Sequence, residues 1–193
     1  MRLCGEVVIE EGVVTDEKEE ELRHCMVRYQ AGDDAATEEL VERLSPSLLS
    51  YFMRPQADPN DVKDLLQECW LRIHRSRHTY RAADPLLPWV FAIARHTMLD
   101  DRRRRSRRAA REVLLAEPPE RPSHATAAAS RVRDTERLLE QLPPSQRDVL
   151  LLLNVTGMTM TEAARAMSSS VAATKQRAHR AYARLRAFLA AGD

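Results

Sequence analysis

An all-α fold of two small helical domains joined by a flexible linker is what the sequence predicts, on three observations. Glycine is scarce, 5 residues in a chain of 193 with 10 prolines, which argues against a turn-rich β design. Long stretches are rich in Ala, Leu, Arg and Glu, which favour helix. Apolar residues recur at three- and four-residue steps, the period of an amphipathic helix, and one Pro/Ser/Ala-rich stretch interrupts that pattern.

Taken in order, residues 1–18 have little period and read as an acidic extension. A helical pattern starts at Glu19. Asp33 and Asp34 are cap residues for a helix from Ala35 towards Met53, with Leu40, Val41, Leu44, Leu48, Leu49 and Phe52 on its apolar stripe. Pro46 falls inside it and is expected to kink or split it. Asp58-Pro59-Asn60-Asp61 is a start signal with proline suited to a first turn. The helix it opens places Val62, Leu65, Leu66, Cys69, Trp70 and Ile73 on one side and Asp61, Asp64, Gln67 and Glu68 largely on the other. An irregular connection over His78 to Leu87 precedes a helix opened by Pro88, apolar at Trp89, Val90, Ile93, Met98 and Leu99 and ending in a run of arginines. Glu117 to Ser130 (EPPERPSHATAAAS) has linker composition. Beyond it, Val132 to Leu142 reads as helix, and Pro143-Pro144 restarts the chain into Gln146 to Val155. Gly157 breaks that helix. Thr159-Met160-Thr161-Glu162 fits a capping box opening a short helix to about Met167. Ser168-Ser169-Ser170 is then a polar turn, with Ser170 capping a last helix from Val171 to about Ala190. The resulting division is an extension at 1–18, a first domain at 19–112, a linker at 113–131 and a second domain at 132–193.

A net charge of +1 conceals a segregation of sign. Residues 1–22 hold eight acids against Arg2 and Lys18; residues 95–111 hold eight arginines against Asp100 and Asp101. Residues 171–186 carry Lys175, Arg177, Arg180, Arg184 and Arg186 with no acid. Two basic blocks on a balanced chain point to two places where a polyanion is gripped. Cys4, Cys25 and Cys69 are odd in number and lack framework spacing, so they read as reduced thiols, as in a cytoplasm. No segment approaches the roughly 20 apolar residues that span a bilayer, so no direct membrane insertion is expected.

The last two helices have the organisation of a helix-turn-helix, whose second helix enters a DNA major groove N-terminus first. Ala163, Ala164 and Ala166 permit close helix approach. Lys175, Gln176, His179 and Arg180 lie within about one and a half turns and can share one face. Arg and Lys can read guanine edges and Gln adenine, while Arg177 and Arg184 suit phosphates. Solvation of a bundle is the plainer role for such a helix, and the capped helix and turn before it favour DNA.

These residues carry a family resemblance. Ser170 to Ala181 (SVAATKQRAHRA) closely resembles the "SVGTVKSRLHRA" segment of domain four in extracytoplasmic-function (ECF) sigma factors of the bacterial sigma-70 family, and Leu142 to Arg147 resembles the family's entry into that domain. Asp61 to Ile73 (DVKDLLQECWLRI) resembles the "DAEDLVQEVFLRV" helix of domain two. Pro88 to Asp100 resembles "WLYRIARNVALD", followed as usual by arginines. The resemblance covers about residues 22–110 and 132–190. It implies a subunit that directs promoter-specific transcription initiation, not an enzyme. It implies binding to core RNA polymerase, at the clamp coiled coil of the largest subunit through Asp61, Asp64, Leu65, Gln67 and Glu68, and at the flap region. It implies promoter DNA as a partner, with the minus-35 element read by Ser170, Thr174, Lys175, Gln176, Arg177, His179, Arg180 and Arg184. The minus-10 element falls to Tyr80, Arg81, Arg95, Arg102, Arg103, Arg104 and Arg105, with Tyr80, Arg81 and the loop to Leu87 forming a pocket for an unstacked base. An anti-sigma partner is implied as well. Two departures stand out. Ser168 replaces the family's turn glycine and Ser169 an apolar residue, so the turn is expected to be looser or differently shaped, with a cost of about 1 kcal/mol for a left-handed residue that is not glycine.

No phosphate-cradling glycine loop or nucleophile elbow is present. His74 and His78 are spaced as ligands on one face, but no acid or thiol is spaced to complete a metal site. No catalytic residue, cofactor, metal or small-molecule substrate is therefore expected. A free-standing helix-turn-helix regulator and a sigma-mimicking adaptor that sequesters an anti-sigma factor are the alternatives at this point.

Overall fold

The computed structural model describes residues 16–53, 58–112, 138–139 and 141–191, and all regular structure among them is helical. Cys4, the extension up to residue 15, the linker at 113–131 and the start of the helix expected from Val132 lie outside the described residues.

Helix α1 (Asp16–Gln30) begins three residues before Glu19. It closes on Gly32, whose φ of 88° is open to glycine and strained for other residues. There Asp33 N donates to Arg28 O at 3.1 Å and Gly32 N to Tyr29 O at 3.1 Å, the bond pair of a Schellman stop. Helix α2 (Asp34–Phe52) starts immediately, with the Asp33 carboxylate accepting from Ala36 N. It runs unsplit through Pro46. The ring removes one backbone bond at a cost of about 3 kcal/mol. Leu40, Leu44, Leu48, Tyr51 and Phe52 are all buried on either side of it, at roughly 1.5–3 kcal/mol for each large apolar side chain, so a split would lose more than it saved.

Helix α3 (Pro59–Ser76) is capped by Asp58, whose carboxylate accepts from Asn60 N at 2.8 Å, with Pro59 in the first turn. It buries Val62, Leu65, Cys69 and Ile73, and Trp70 donates to Ser45 Oγ of α2 at 3.1 Å. A single 3-10 turn (Arg77–Thr79) leads to α4 (Leu86–Glu112), which opens two residues before Pro88. Glu19 of α1 supplies the cap that the local sequence lacks, its carboxylate accepting from Leu86 N. Leu86, Leu87, Val90, Phe91, Ala94 and Met98 are buried along the first half of α4, and the Tyr51 and Phe91 rings meet edge to face at 5.5 Å.

The second domain comprises α5 (Pro144–Asn154), α6 (Met160–Ala166) and α7 (Val171–Ala191). Gly157, at φ 68°, turns the chain between α5 and α6. The capping box is complete: Glu162 N donates to Thr159 Oγ1 and Thr159 N to Glu162 Oε2 at 2.8 Å. The far half of α7 packs Ala181, Tyr182, Leu185 and Phe188 around Leu142 and Leu150. The domains do not stand apart. Val149, Leu152, Met158, Ala163, Ala166, Met167 and Ala178 join the apolar cluster of the first domain, with α6 lying on α4.

The turn after α6 is closed rather than loose. Ser168 takes the left-handed position at φ 50°, Ser169 N donates to Ala164 O at 2.9 Å and Ser168 N to Arg165 O at 3.0 Å. They repeat the pair of bonds that Gly32 N and Asp33 N donate after α1. A Cβ in that conformation costs on the order of 1 kcal/mol, partly offset by the freedom glycine adds to the unfolded chain. Ser168→Gly is expected to raise stability by about 0.5–1 kcal/mol, read as an increased urea midpoint at unchanged slope.

Candidate nucleic-acid interface

The turn sets the pose of α7. Ser170 caps it, its Oγ accepting from Ala173 N at 3.2 Å. Ser169, at the position where the family carries an apolar residue, instead accepts a bond from Arg177 Nη1 at 2.7 Å. That bond ties the turn to the second turn of α7 and half-buries Arg177. Lys175, Gln176, His179, Arg180 and Arg184 are all exposed and follow three- and four-residue steps along one side. Thr174 is a correction. It is fully buried, and its hydroxyl donates back to Ser170 O at 3.0 Å, so it supports the helix start and presents nothing to DNA.

The first domain distributes its sequence-selected residues less evenly. Tyr80 is 4% exposed, donates its hydroxyl to Asp84 O at 2.8 Å and lies 5.6 Å from the Trp89 ring. In this arrangement it has no free face to stack on a base; it is the floor under the exposed residues Arg81 to Asp84. Gln30 of α1 holds the connection from behind, its amide donating to Arg77 O at 2.6 Å and Tyr80 O at 3.0 Å. Along the arginine run, Arg103, Arg104, Arg107 and Arg108 are exposed. Arg102 turns inward, with Nη1 buried and without a hydrogen-bond partner among the described residues. Arg105 bridges Asp101 at 2.7 Å and Asp61 at 2.8 Å. Arg95 also points inward, 18% exposed, with Nε 3.3 Å from Asp148 Oδ2.

On α3, Asp64 and Gln67 are exposed and Asp61 and Glu68 half-exposed, whereas Leu65 is 5% exposed and reaches the surface only at the floor of the groove between α3 and α4. Arg72 joins Glu68 and Asp100, each at 2.8 Å, locking α3 to α4 and holding the Asp100 carboxyl below its ordinary value. A groove of about 340 Å³ separates these acids from Asp101, Arg104, Arg105 and Arg108. The acidic face and the arginine run therefore adjoin, which helix-by-helix reading did not reveal.

Sequence reasoning passed over Asp148. Its one signal was a lone carboxylate beginning the apolar run Val149 to Leu153. It is 1% exposed, and burial pushes its carboxyl above the usual range against the pull of the Arg95, Arg147 and Arg102 guanidiniums.

Cys25 donates to Ala36 O at 3.2 Å, and Cys69 is fully buried with its thiol pushed up to about 12 by desolvation. Among the described residues no group of His, Cys, Asp and Glu could hold a metal, and no helix is long and apolar enough to cross a membrane.

Two family models match this chain: Sigma-70 region 2 over residues 40–108, and Sigma-70, region 4 over residues 133–185. Similar relatives include the ECF RNA polymerase sigma factor SigF of Caulobacter vibrioides, 33% identical, with 84% of this chain and 90% of the relative covered. SigD of Mycobacterium tuberculosis, another ECF RNA polymerase sigma factor, is 31% identical, with 90% and 87% covered. Among solved structures, CnrH in complex with the cytosolic domain of CnrY superposes with a TM-score of 0.71 at 24% identity, covering 89% of this chain and 98% of that one. The sigma factor RpoE, in complex with the anti-sigma factor NepR from Bartonella quintana, gives 0.66 at 20% identity, covering 79% and 96%.

A thiolate is the reactive form of cysteine, so Cys69 is expected to resist alkylation at pH 8 in the folded chain and to react fully in urea, as followed by intact mass.

Proposed function

The chain belongs to the ECF group of sigma-70 family RNA polymerase sigma factors, transcription initiation factors rather than enzymes, and we propose that it engages core polymerase through α3 and a promoter through α7 and the loop and arginines around α4. The observation that carries the DNA half of this reading is the exposed stripe Lys175, Gln176, His179, Arg180 and Arg184 behind the Ser170 cap. Its residue types match what a major groove offers: Arg and Lys for guanine O6 and N7, Gln for adenine. Arg177, held by Ser169, fixes the turn and approaches the backbone only from that position. In this reading α7 takes the minus-35 element.

The minus-10 element falls to Arg81, the exposed loop beside it and Arg103, Arg104, Arg107 and Arg108. Tyr80 and Arg95 take part only if they leave the partners described above. Asp64, Gln67 and Glu68 suit a basic coiled coil such as the polymerase clamp, with Asp61 available once Arg105 releases it. Polymerase-bound, the two domains act through the linker as a tethered pair, so the second contact is intramolecular. An anti-sigma factor is the expected inhibitor, covering the polymerase-binding faces until a signal arrives; the complexes of CnrH and of RpoE support that expectation.

Run-off transcription with purified core polymerase on genomic fragments tests the assignment. Lys175→Ala and Arg180→Ala are each expected to weaken a promoter by about 1–3 kcal/mol and to relax preference at one upstream base pair. Unaltered promoter choice in both variants overturns the placement of the recognition helix.

A further inference from the structure

Helix α1 holds the connection between α3 and α4 at both ends, and does so through the backbone of that connection. At the entry, Gln30 Nε2 donates to Arg77 O at 2.6 Å and to Tyr80 O at 3.0 Å. A primary amide has two N–H groups, and both are spent on carbonyls of one irregular segment. At the exit, the Glu19 carboxylate accepts from Leu86 N. Nothing local can do this, because Pro85 has no side-chain oxygen to act as a cap. Glu19 and Gln30 lie about three helical turns apart, roughly 16 Å along α1, so both face the same way. Leu22, Met26 and Tyr29 are buried between them.

The segment between these two holds is tied internally as well. Asp84 N donates to Arg81 O at 2.9 Å, closing a turn, and the Tyr80 hydroxyl donates to Asp84 O at 2.8 Å. Tyr29 steadies the approach: its hydroxyl meets His74 Nδ1 at 2.7 Å, and the Arg77 guanidinium lies 6.0 Å from its ring centre. The backbone is thereby fixed while Arg81, Ala82, Ala83 and Asp84 are all exposed. Anchoring of α1 does not require the Gln30 and Glu19 bonds, since Leu22, Cys25, Met26 and Tyr29 already join the apolar core. What the two bonds add is the shape of the loop.

We propose that Gln30 and Glu19 are positioning residues for the capture of an unstacked promoter base, with α1 as a rigid splint that sets residues 77–86 in their receiving shape before DNA arrives. The inference rests on the reading of this loop as a minus-10 contact and deepens it by naming what shapes the loop. Neither residue touches DNA. A loop already ordered loses little further freedom when it closes on its ligand, so preorganisation strengthens binding without adding a contact. Without the splint, Arg81 to Asp84 would have to be ordered by the base itself, and the preference for a base over an empty position would fall.

The test titrates the full chain, bound to core polymerase, with fluorescent single strands of a promoter it uses, either intact or with one abasic site moved through the minus-10 element. For the unmutated chain, an abasic site at the captured base should weaken binding about tenfold. Gln30→Glu keeps the side chain's size and replaces its donors with acceptors. It should bind the intact strand about tenfold less well and no longer distinguish intact from abasic, a non-additive result. A loss of general stability would instead weaken both strands by one common factor. A Gln30→Glu chain that is folded, by circular dichroism, and keeps the tenfold preference overturns the proposal, as does one that weakens both strands equally. Should Gln30→Glu unfold, Glu19→Ala makes the same comparison, with Glu19→Gln, which keeps an acceptor for Leu86 N, restoring the preference. An unmutated chain that binds no polymerase, or prefers no base at any position, contradicts the reading of the loop as a DNA contact. The splint is then decided by amide hydrogen exchange over residues 80–86 in the free chain. Exchange at least tenfold faster in Gln30→Glu supports it, and equal rates overturn it.

Discussion

Burial of the apolar half of α4 is the constraint on which the rest of this structure depends. Leu86, Leu87, Val90, Phe91, Ala94 and Met98 are all buried, and they face α1 to α3 on one side and the α5–α6 unit on the other. Large apolar side chains in such positions contribute roughly 1.5–3 kcal/mol each, enough to fix the direction of a 27-residue helix. Its second half can then carry seven arginines without a core of its own. The helix acts as a rod anchored at one end and charged at the other. The position of every arginine from Arg102 onwards follows from that anchoring.

Around this rod, charge is arranged in three tiers that differ in their contact with water. The stripe on α7 is exposed and unpaired with acid on its own helix, so it is available to a polyanion. The α3–α4 groove pairs acid with arginine in half-exposed bridges such as Arg105–Asp61 and Arg72–Asp100, which are individually weak and exchangeable. The Arg95–Asp148 contact is the one most withdrawn from water of those named here, with Asp148 1% exposed. One sequence thus presents free, exchangeable and sequestered cations in succession, with burial alone distinguishing residues of identical type.

Local chemistry made much of this fold legible in advance. Asp58-Pro59 and Thr159 to Glu162 stand where capping rules place them, and the fold class and family follow from motifs that fall on separate helices. Contacts set by the tertiary structure were not legible. Pro46 sits within an unbroken helix because burial on both flanks outweighs the lost bond. Tyr80 suits base stacking by residue type, since aromatic rings serve that purpose, yet Trp89 and Asp84 enclose it. Thr174 shares the helical neighbourhood of Lys175, but its place one step round the cylinder turns it inwards. Asp148 and Arg95 are separated by 53 positions, and no local pattern pairs them. The serine turn was the subtler case. Residue type alone points to strain at Ser168 and to a looser turn; the strain is there, but the Ser169–Arg177 bond and the two backbone bonds hold the turn closed without glycine.

If a cationic stripe and an acidic face, carried by two domains on one anchored rod, together make a promoter-reading subunit, then the chain must impart start-site choice to a polymerase that has none. The direct measurement is sequencing of transcript 5′ ends made by sigma-free bacterial core polymerase on genomic DNA, with and without the purified chain. The account predicts a discrete set of new starts sharing two upstream motifs at fixed spacing. Transcripts indistinguishable from those of core polymerase alone would contradict it.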